Sequence, residues 1–280
     1  MIAASLLLAG ALWAQVGESQ ALVCQRVQLA ECLQHLPEET RAQLSQNLKQ
    51  LTTQMGQRGA MVRPLRQNQS KIAGVVLLDS SNIPHSQSIL LDGRVYSLTL
   101  RQAEEMTLRH ELGHLAVTHS RSSYLTQTKL SGYQHEWLAD LYLFWSLARD
   151  KQENELAWQQ YHRRNLAVFE SVAAISHWST PMLAQVFEQY SWQQLGEFRD
   201  FDALIDAIYP KLRQYNQDEL NEFASLIQQL FGANKRHHLP RYIFWRRPEL
   251  GRYIQPTLEQ LMGKSGAEAW LEQQALLVQG

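Results

Sequence analysis

The sequence predicts an α+β fold, mostly helical. Three observations carry this. Lys71 to Asp79, apolar throughout between its two charged ends, reads as a buried strand. Ser88 to Leu100 reads as a hairpin, because Asp92-Gly93 suits a two-residue turn flanked by β-prone residues. From Gln102 onward the apolar residues recur almost entirely at helical spacing. The expected layout is a small antiparallel sheet, then a pair of helices, then a helical C-terminal half.

The chain has 280 residues, of which 45% are hydrophobic, enough for a sizeable core. Its 26 basic and 27 acidic side chains leave a formal charge of -1. A near-neutral chain has no global field to gather a polyanion, so nucleic acid is not expected as a partner. Basic residues do cluster from Lys235 to Arg252, and the plain reading is a solvated face. Composition says nothing about oligomeric state.

The elements follow in order. Ile2 to Ala14 is an apolar run, followed by polar residues and a small-x-small site at Ser19-Gln20-Ala21. It is shorter than the roughly 20 residues a membrane span needs, so no stable span is expected. Residues 1–21 read as a signal peptide, although no Lys or Arg precedes the run. An uncleaved anchor and an ordinary buried helix are the alternatives. A signal peptide would put the protein in the periplasm or outside the cell. Cys24 and Cys32 would there suit a small local disulfide; two free buried thiols are the other reading. Val23 spoils any lipidation box at Cys24.

Glu38 to Gln57 has helical spacing, with Leu44, Leu48, Leu51 and Met55 on one side. After the strand and hairpin, helices are expected over Gln102–His119 and His135–Arg149. Further helices should cover Glu153–Ser176, Pro181–Tyr190, Phe201–Ile208, Gln217–Phe231 and Pro256 onward, with Pro181 and Pro256 in first turns. Residues 22–150 would form a catalytic region, and residues 151–280 a helical region packed on it as one unit.

The chemistry concentrates between residues 106 and 145. His110 and His114, four apart on a helix, put two imidazoles on one face within reach of a single ion. Glu111 lies beside that face, where it can take a proton from a zinc-activated water. Gly113 costs the helix roughly 1 kcal/mol, which suggests close approach by another segment. Catalytic zinc usually has three protein ligands. His119 points roughly 140° away around the helix, and His135 neighbours a better candidate. Glu136 and Asp140 share a face of the next helix, which is otherwise apolar nearly all round. Carboxylates buried there need a cation or a donor. Zinc would answer for Glu136, and the free ring N–H of a zinc-bound histidine for Asp140.

The stretch resembles a gluzincin, the zinc metallopeptidase group whose third ligand is a Glu on the helix after H-E-x-x-H. His110-Glu111-Leu112-Gly113-His114 with Glu136 to Asp140 is similar to the H-E-L-G-H and E-x-x-A-D pattern of CAAX-prenyl proteases and periplasmic quality-control peptidases. The short gap between the two motifs is nearer to thermolysin-like and ImmA/IrrE-type enzymes, so the family is left open. The resemblance covers about forty residues plus the hairpin. It implies a zincin-like fold, one Zn²⁺ on His110, His114 and Glu136, Glu111 as general base and peptide-bond hydrolysis. It further implies that the strand from Arg94 to Leu100 would line the cleft and pair with an extended peptide or protein substrate. An oxyanion donor is also implied, with Tyr124, Tyr133, His237 and His238 as candidates among which no spacing rule selects. His35, His85, His162 and His177 read as structural. The alternative function is a non-catalytic zinc-containing binding or sensor module, which would have no evident use for Glu111. Hydrolysis of other amides is a third reading, although deformylases with H-E-x-x-H use a Cys ligand, and neither cysteine lies near the motif.

Overall fold

A computed structural model describes residues 11–44, 48–66, 71–127, 129–232 and 240–277. The fold is α+β and mostly helical. The first strands are β1 (Ala11–Val16), β2 (Ser19–Gln25), β3 (Ala60–Pro64) and β4 (Ile72–Leu78), joined in the order β1-β2-β4-β3. Antiparallel pairing holds for β1/β2 and β3/β4, but β2 and β4 run parallel. The sheet is therefore mixed, not antiparallel. The reason lies in β4, whose seven residues are all buried. A strand with no polar face needs neighbours on both edges and cover on both faces. It takes the central position, and the chain after β2 must cross over to reach it.

One face of the sheet is covered by α1 (Leu29–Cys32), α2 (Glu38–Gln43) and α3 (Leu48–Met55), with Leu22, Leu29, Leu51, Met55, Val75 and Leu77 in a local core. The single helix expected over Glu38–Gln57 is thus two. Cys24 and Cys32 are joined as a disulfide inside this core. Residues 11–21, expected as part of a leader, lie instead in β1 and β2, with Ala14, Val16 and Ala21 buried. A cut after Ala21 would fall within β2; residues 1–10 lie outside the described residues.

The hairpin forms as expected from β5 (Ser86–Leu91) and β6 (Arg94–Thr99), with Asp92 and Gly93 both at positive φ in its turn. The other face of the four-stranded sheet carries α4 (Ala103–Thr118). A short α5 (Ser123–Thr126) leads to α6 (Gly132–Arg149), opened by a capping box of Ser131 and Gln134. The helical half is α7 (Glu155–Glu170), α8 (Thr180–Gln189), α9 (Trp192–Glu197), α10 (Phe201–Ile208), α11 (Gln217–Phe231), α12 (Arg247–Met262) and α13 (Lys264–Gln273). Pro256 sits inside α12, not in a first turn. Residues 172–177, expected as helix continuing from α7, tighten into a 3-10 segment that ends at His177. One apolar cluster runs from Ala14 to Leu276 and joins the sheet to the helical half. Among the described residues no helix is long and apolar enough to cross a membrane.

Candidate metal centre

Helices α4 and α6 touch more closely than ordinary side chains allow. A Cβ on Gly113 would lie 2.6 Å from the Ala139 carbonyl oxygen and 2.8 Å from its Cα. Only glycine fits, which accounts for its place in mid-helix. That approach brings the two motif faces together. His110 Nε2 lies 3.1 Å from His114 Nε2 and 3.3 Å from Glu136 Oε2, and His114 Nε2 lies 3.6 Å from Glu136 Oε1. Ligands at the bond lengths zinc prefers stand ~3.3 Å apart around a tetrahedron. Among the described residues these three form the cluster with metal-binding geometry.

Two features suit a cation. First, Asp140 Oδ1 is 2.8 Å from His110 Nδ1. A proton on that nitrogen leaves the Nε2 lone pair facing the cluster. Second, Glu136 Oε2 is buried and has no partner in hydrogen-bond geometry. A buried carboxylate oxygen without a donor is costly unless a cation answers it. The donor set of two imidazoles and one carboxylate is one zinc accepts.

Asp140 is fully buried and draws donors from three further side chains. Gln160 Nε2 donates at 2.9 Å, Ser179 Oγ at 2.5 Å, and Arg164 at 2.7 Å through Nε and 3.0 Å through Nη2. Burial opposes its charge, but Arg164 and His110 outweigh burial and hold the carboxyl well below its usual range. Burial likewise opposes charge on His110, yet Asp140 pushes that ring up to about 9. His114 goes the other way, to about 3, through burial and the neighbouring His110. Glu136 resists burial through His110 and Arg164 and falls to about 2. The carboxyl of Glu111 is raised, chiefly by burial, with Glu136 adding to it and His110, Arg164 and Arg58 opposing.

No family model, curated protein or solved structure matches the chain. The site therefore stands on its geometry alone.

Sequence reasoning missed four of the side chains gathered here: Gln160, Arg164, Ser179 and His177. Arg164, on α7, spans Asp140 and reaches to 3.6 Å from Glu136 Oε2. Its spacing from Gln160, four residues earlier, was the available signal, since both bond the same carboxylate. His177, read as structural, puts Nε2 3.4 Å from Glu136 Oε1 while its side chain stays half exposed.

Other expectations fall elsewhere. His119 Nε2 meets the Ala73 carbonyl at 2.7 Å, away from the ligand cluster. Tyr133 is buried with its hydroxyl unpartnered, and burial raises its pKa well above the usual range. Tyr124 packs against the Tyr209 ring. His237 and His238 lie outside the described residues. The hairpin is not the strand beside the motif helix: β5 packs on α7 and β6 on α12, whereas α4 lies against β3, an edge of the sheet.

Proposed function

We propose that the protein is a zinc-dependent peptidase. The observation that carries this reading is the gathering of two imidazole nitrogens and the Glu136 carboxylate within 3.1–3.6 Å of one another, near the spacing of tetrahedral ligands, with Glu111 beside them. His110, His114 and Glu136 would hold one Zn²⁺. Zinc bound there would lower the pKa of a water and polarise the scissile carbonyl. Glu111, its carboxyl raised by burial, would take the proton as water attacks and pass it to the leaving amine. Asp140 fixes the ring of His110, and Arg164 with Gln160 and Ser179 fixes Asp140. His177 is the half-exposed donor nearest the ligands and suits the developing oxyanion. β3, the outer described strand beside α4, suits pairing with an extended peptide. The Cys24–Cys32 disulfide favours an oxidising compartment, periplasmic or extracellular.

The non-catalytic zinc module has one observation behind it. His177 is within reach of Glu136 and could close the coordination if it moved. Its nitrogen does not share the compact cluster of the other three. Digestion of a denatured peptide mixture decides between them. The peptidase reading expects cleavage that stops with chelator, and Glu111→Gln lowering the rate by about 10²- to 10⁴-fold while zinc stays bound. Stoichiometric zinc with no cleavage would favour the module.

A further inference from the structure

The opposite face of α4 borders a second concavity, a cleft of about 1410 Å³. One wall is β1, the outer strand of the sheet, and the other is the Arg109, Tyr142, Trp145 and Arg149 side of α4 and α6. A third side carries Arg121, Arg199, Asp200, Asp202 and Asp206, with Asp202 and Asp206 held by Ser120, Arg121 and Ser122. We propose that this cleft binds an extended peptide, which adds as a strand to β1 and sets a carboxylate against Arg109 and Arg149, away from those acids.

The argument begins with the β1–β2 turn. Gly17 and Glu18 form a two-residue loop, with Gly17 at φ 59°. In such a hairpin the flanking pair, Val16 and Ser19, exchanges both ladder hydrogen bonds. Alternate residues then aim their N–H and C=O the other way, so Trp13 and Gln15 present backbone groups along an edge that pairs with no strand among the described residues. Both side chains are also exposed, while Ala14 and Val16 are buried. An edge of this kind is a template for one more strand.

The charge comes from a guanidinium that the fold leaves incomplete. Arg109 has only 3% of its side chain exposed. Its Nε and Nη2 bond Glu105, and Nη2 also bonds Asp150, but Nη1 is buried with no partner. Such a nitrogen is expensive to leave unmade. Arg149, exposed, lies with its guanidinium 5.1 Å from the centre of the Trp145 ring. An unpartnered guanidinium nitrogen on Arg109 and a second guanidinium over the Trp145 ring, both lining the cleft, suit the carboxylate of a peptide. The carboxylate could be an acidic side chain or a free C-terminus; the chemistry is shared.

The test uses the full chain with chelator present, so that binding is read apart from any hydrolysis on the other face of α4. The probe is a fluorescent hexapeptide of alternating Val and Thr ending in Asp with a free carboxylate, read by anisotropy. Saturable binding is expected. Amidating the terminus and replacing the Asp by Asn are separate arms, and the one that weakens binding about tenfold identifies the carboxylate used. Arg149→Ala should weaken binding about tenfold as well. So should Gln15→Pro, which removes an outward N–H without touching the β1–β2 ladder. Both sites are exposed, and an unchanged unfolding midpoint verifies the fold. Absence of binding, or binding indifferent to both variants, overturns the proposal. So does self-association of the chain that Gln15→Pro abolishes, because β1 would then pair with a second copy.

Discussion

Two of the buried charged clusters among the described residues are built on opposite principles. In the helical half, Arg246 has 4% of its side chain exposed and spends every guanidinium nitrogen on a carboxylate: Nε on Glu222 at 2.8 Å, Nη2 on Glu219 at 2.9 Å and Nη1 on Glu249 at 3.1 Å. Arg213 adds bonds to Glu219 and Glu249, and the Tyr215 hydroxyl bonds Glu249. That network is closed. Between α4 and α6, by contrast, the closed part ends at Asp140. Beyond it, two imidazole nitrogens face each other at 3.1 Å and Glu136 Oε2 has no hydrogen-bond donor. A closed network stabilises a fold. An open one, rigidly held by its neighbours, has the geometry to accept a ligand. The difference also explains why the late basic stretch is not simply a solvated face: Arg246 is consumed inside the molecule, and Arg247 donates to the Gln274 carbonyl.

The comparison can be broken from either side. The largest effect on folding should come from Arg246. Replacing it by Met leaves half-buried Glu222 without its cation and Glu219 and Glu249 with Arg213 alone, and denaturant unfolding should register a loss of about 3 kcal/mol. Zinc stoichiometry should not change. If zinc binding falls in step with stability, the two clusters are not independent.

Asp140 belongs to both principles and should behave in between. Asp140→Asn keeps the shape but removes the charge that orients His110. Zinc affinity should fall by about 10- to 100-fold, measured by competition with a chromogenic chelator. An unchanged affinity would mean that the His110 ring is held by packing alone.

Acidity gives the smallest effect per step. In the metal-free chain His110 is pushed up to about 9 by Asp140 against the pull of burial, whereas His114 lies near 3. Below the higher value zinc must displace one proton, so affinity should rise about tenfold per pH unit and level off near it. Calorimetry in buffers of different ionisation heat should count about one proton released per zinc at neutral pH. No release would place the proton elsewhere.

How much of this was legible in the sequence depends on range. The His110–His114 and Glu136–Asp140 pairs lie on single helices, so a four-residue spacing was enough to read them. Gly113 announced a close approach by its propensity cost, and Ala139 turned out to be the neighbour. Asp92-Gly93 specified its hairpin locally. What failed was non-local. The run from Ala11 to Ala14 reads from the sequence as leader, anchor or helix, and only pairing with β2 makes it a strand. The parallel β2–β4 contact joins residues about fifty apart with no spacing signal. Arg164, Ser179 and His177 reach the site from α7 and the segments after it, so their roles depend on how helices pack, which no local pattern encodes. The exchange of β6 for β3 beside α4 has the same cause.

The central claim is that three side chains from two helices hold one zinc and leave a position open. Zinc K-edge absorption on the protein, with stoichiometry measured alongside, tests it most directly. The account predicts one zinc per chain with two imidazole ligands, one carboxylate and one light solvent ligand, and loss of that zinc in His114→Ala and Glu136→Ala but not in Glu111→Gln. No stoichiometric zinc, or a shell completed by a third imidazole with no solvent ligand, would contradict it.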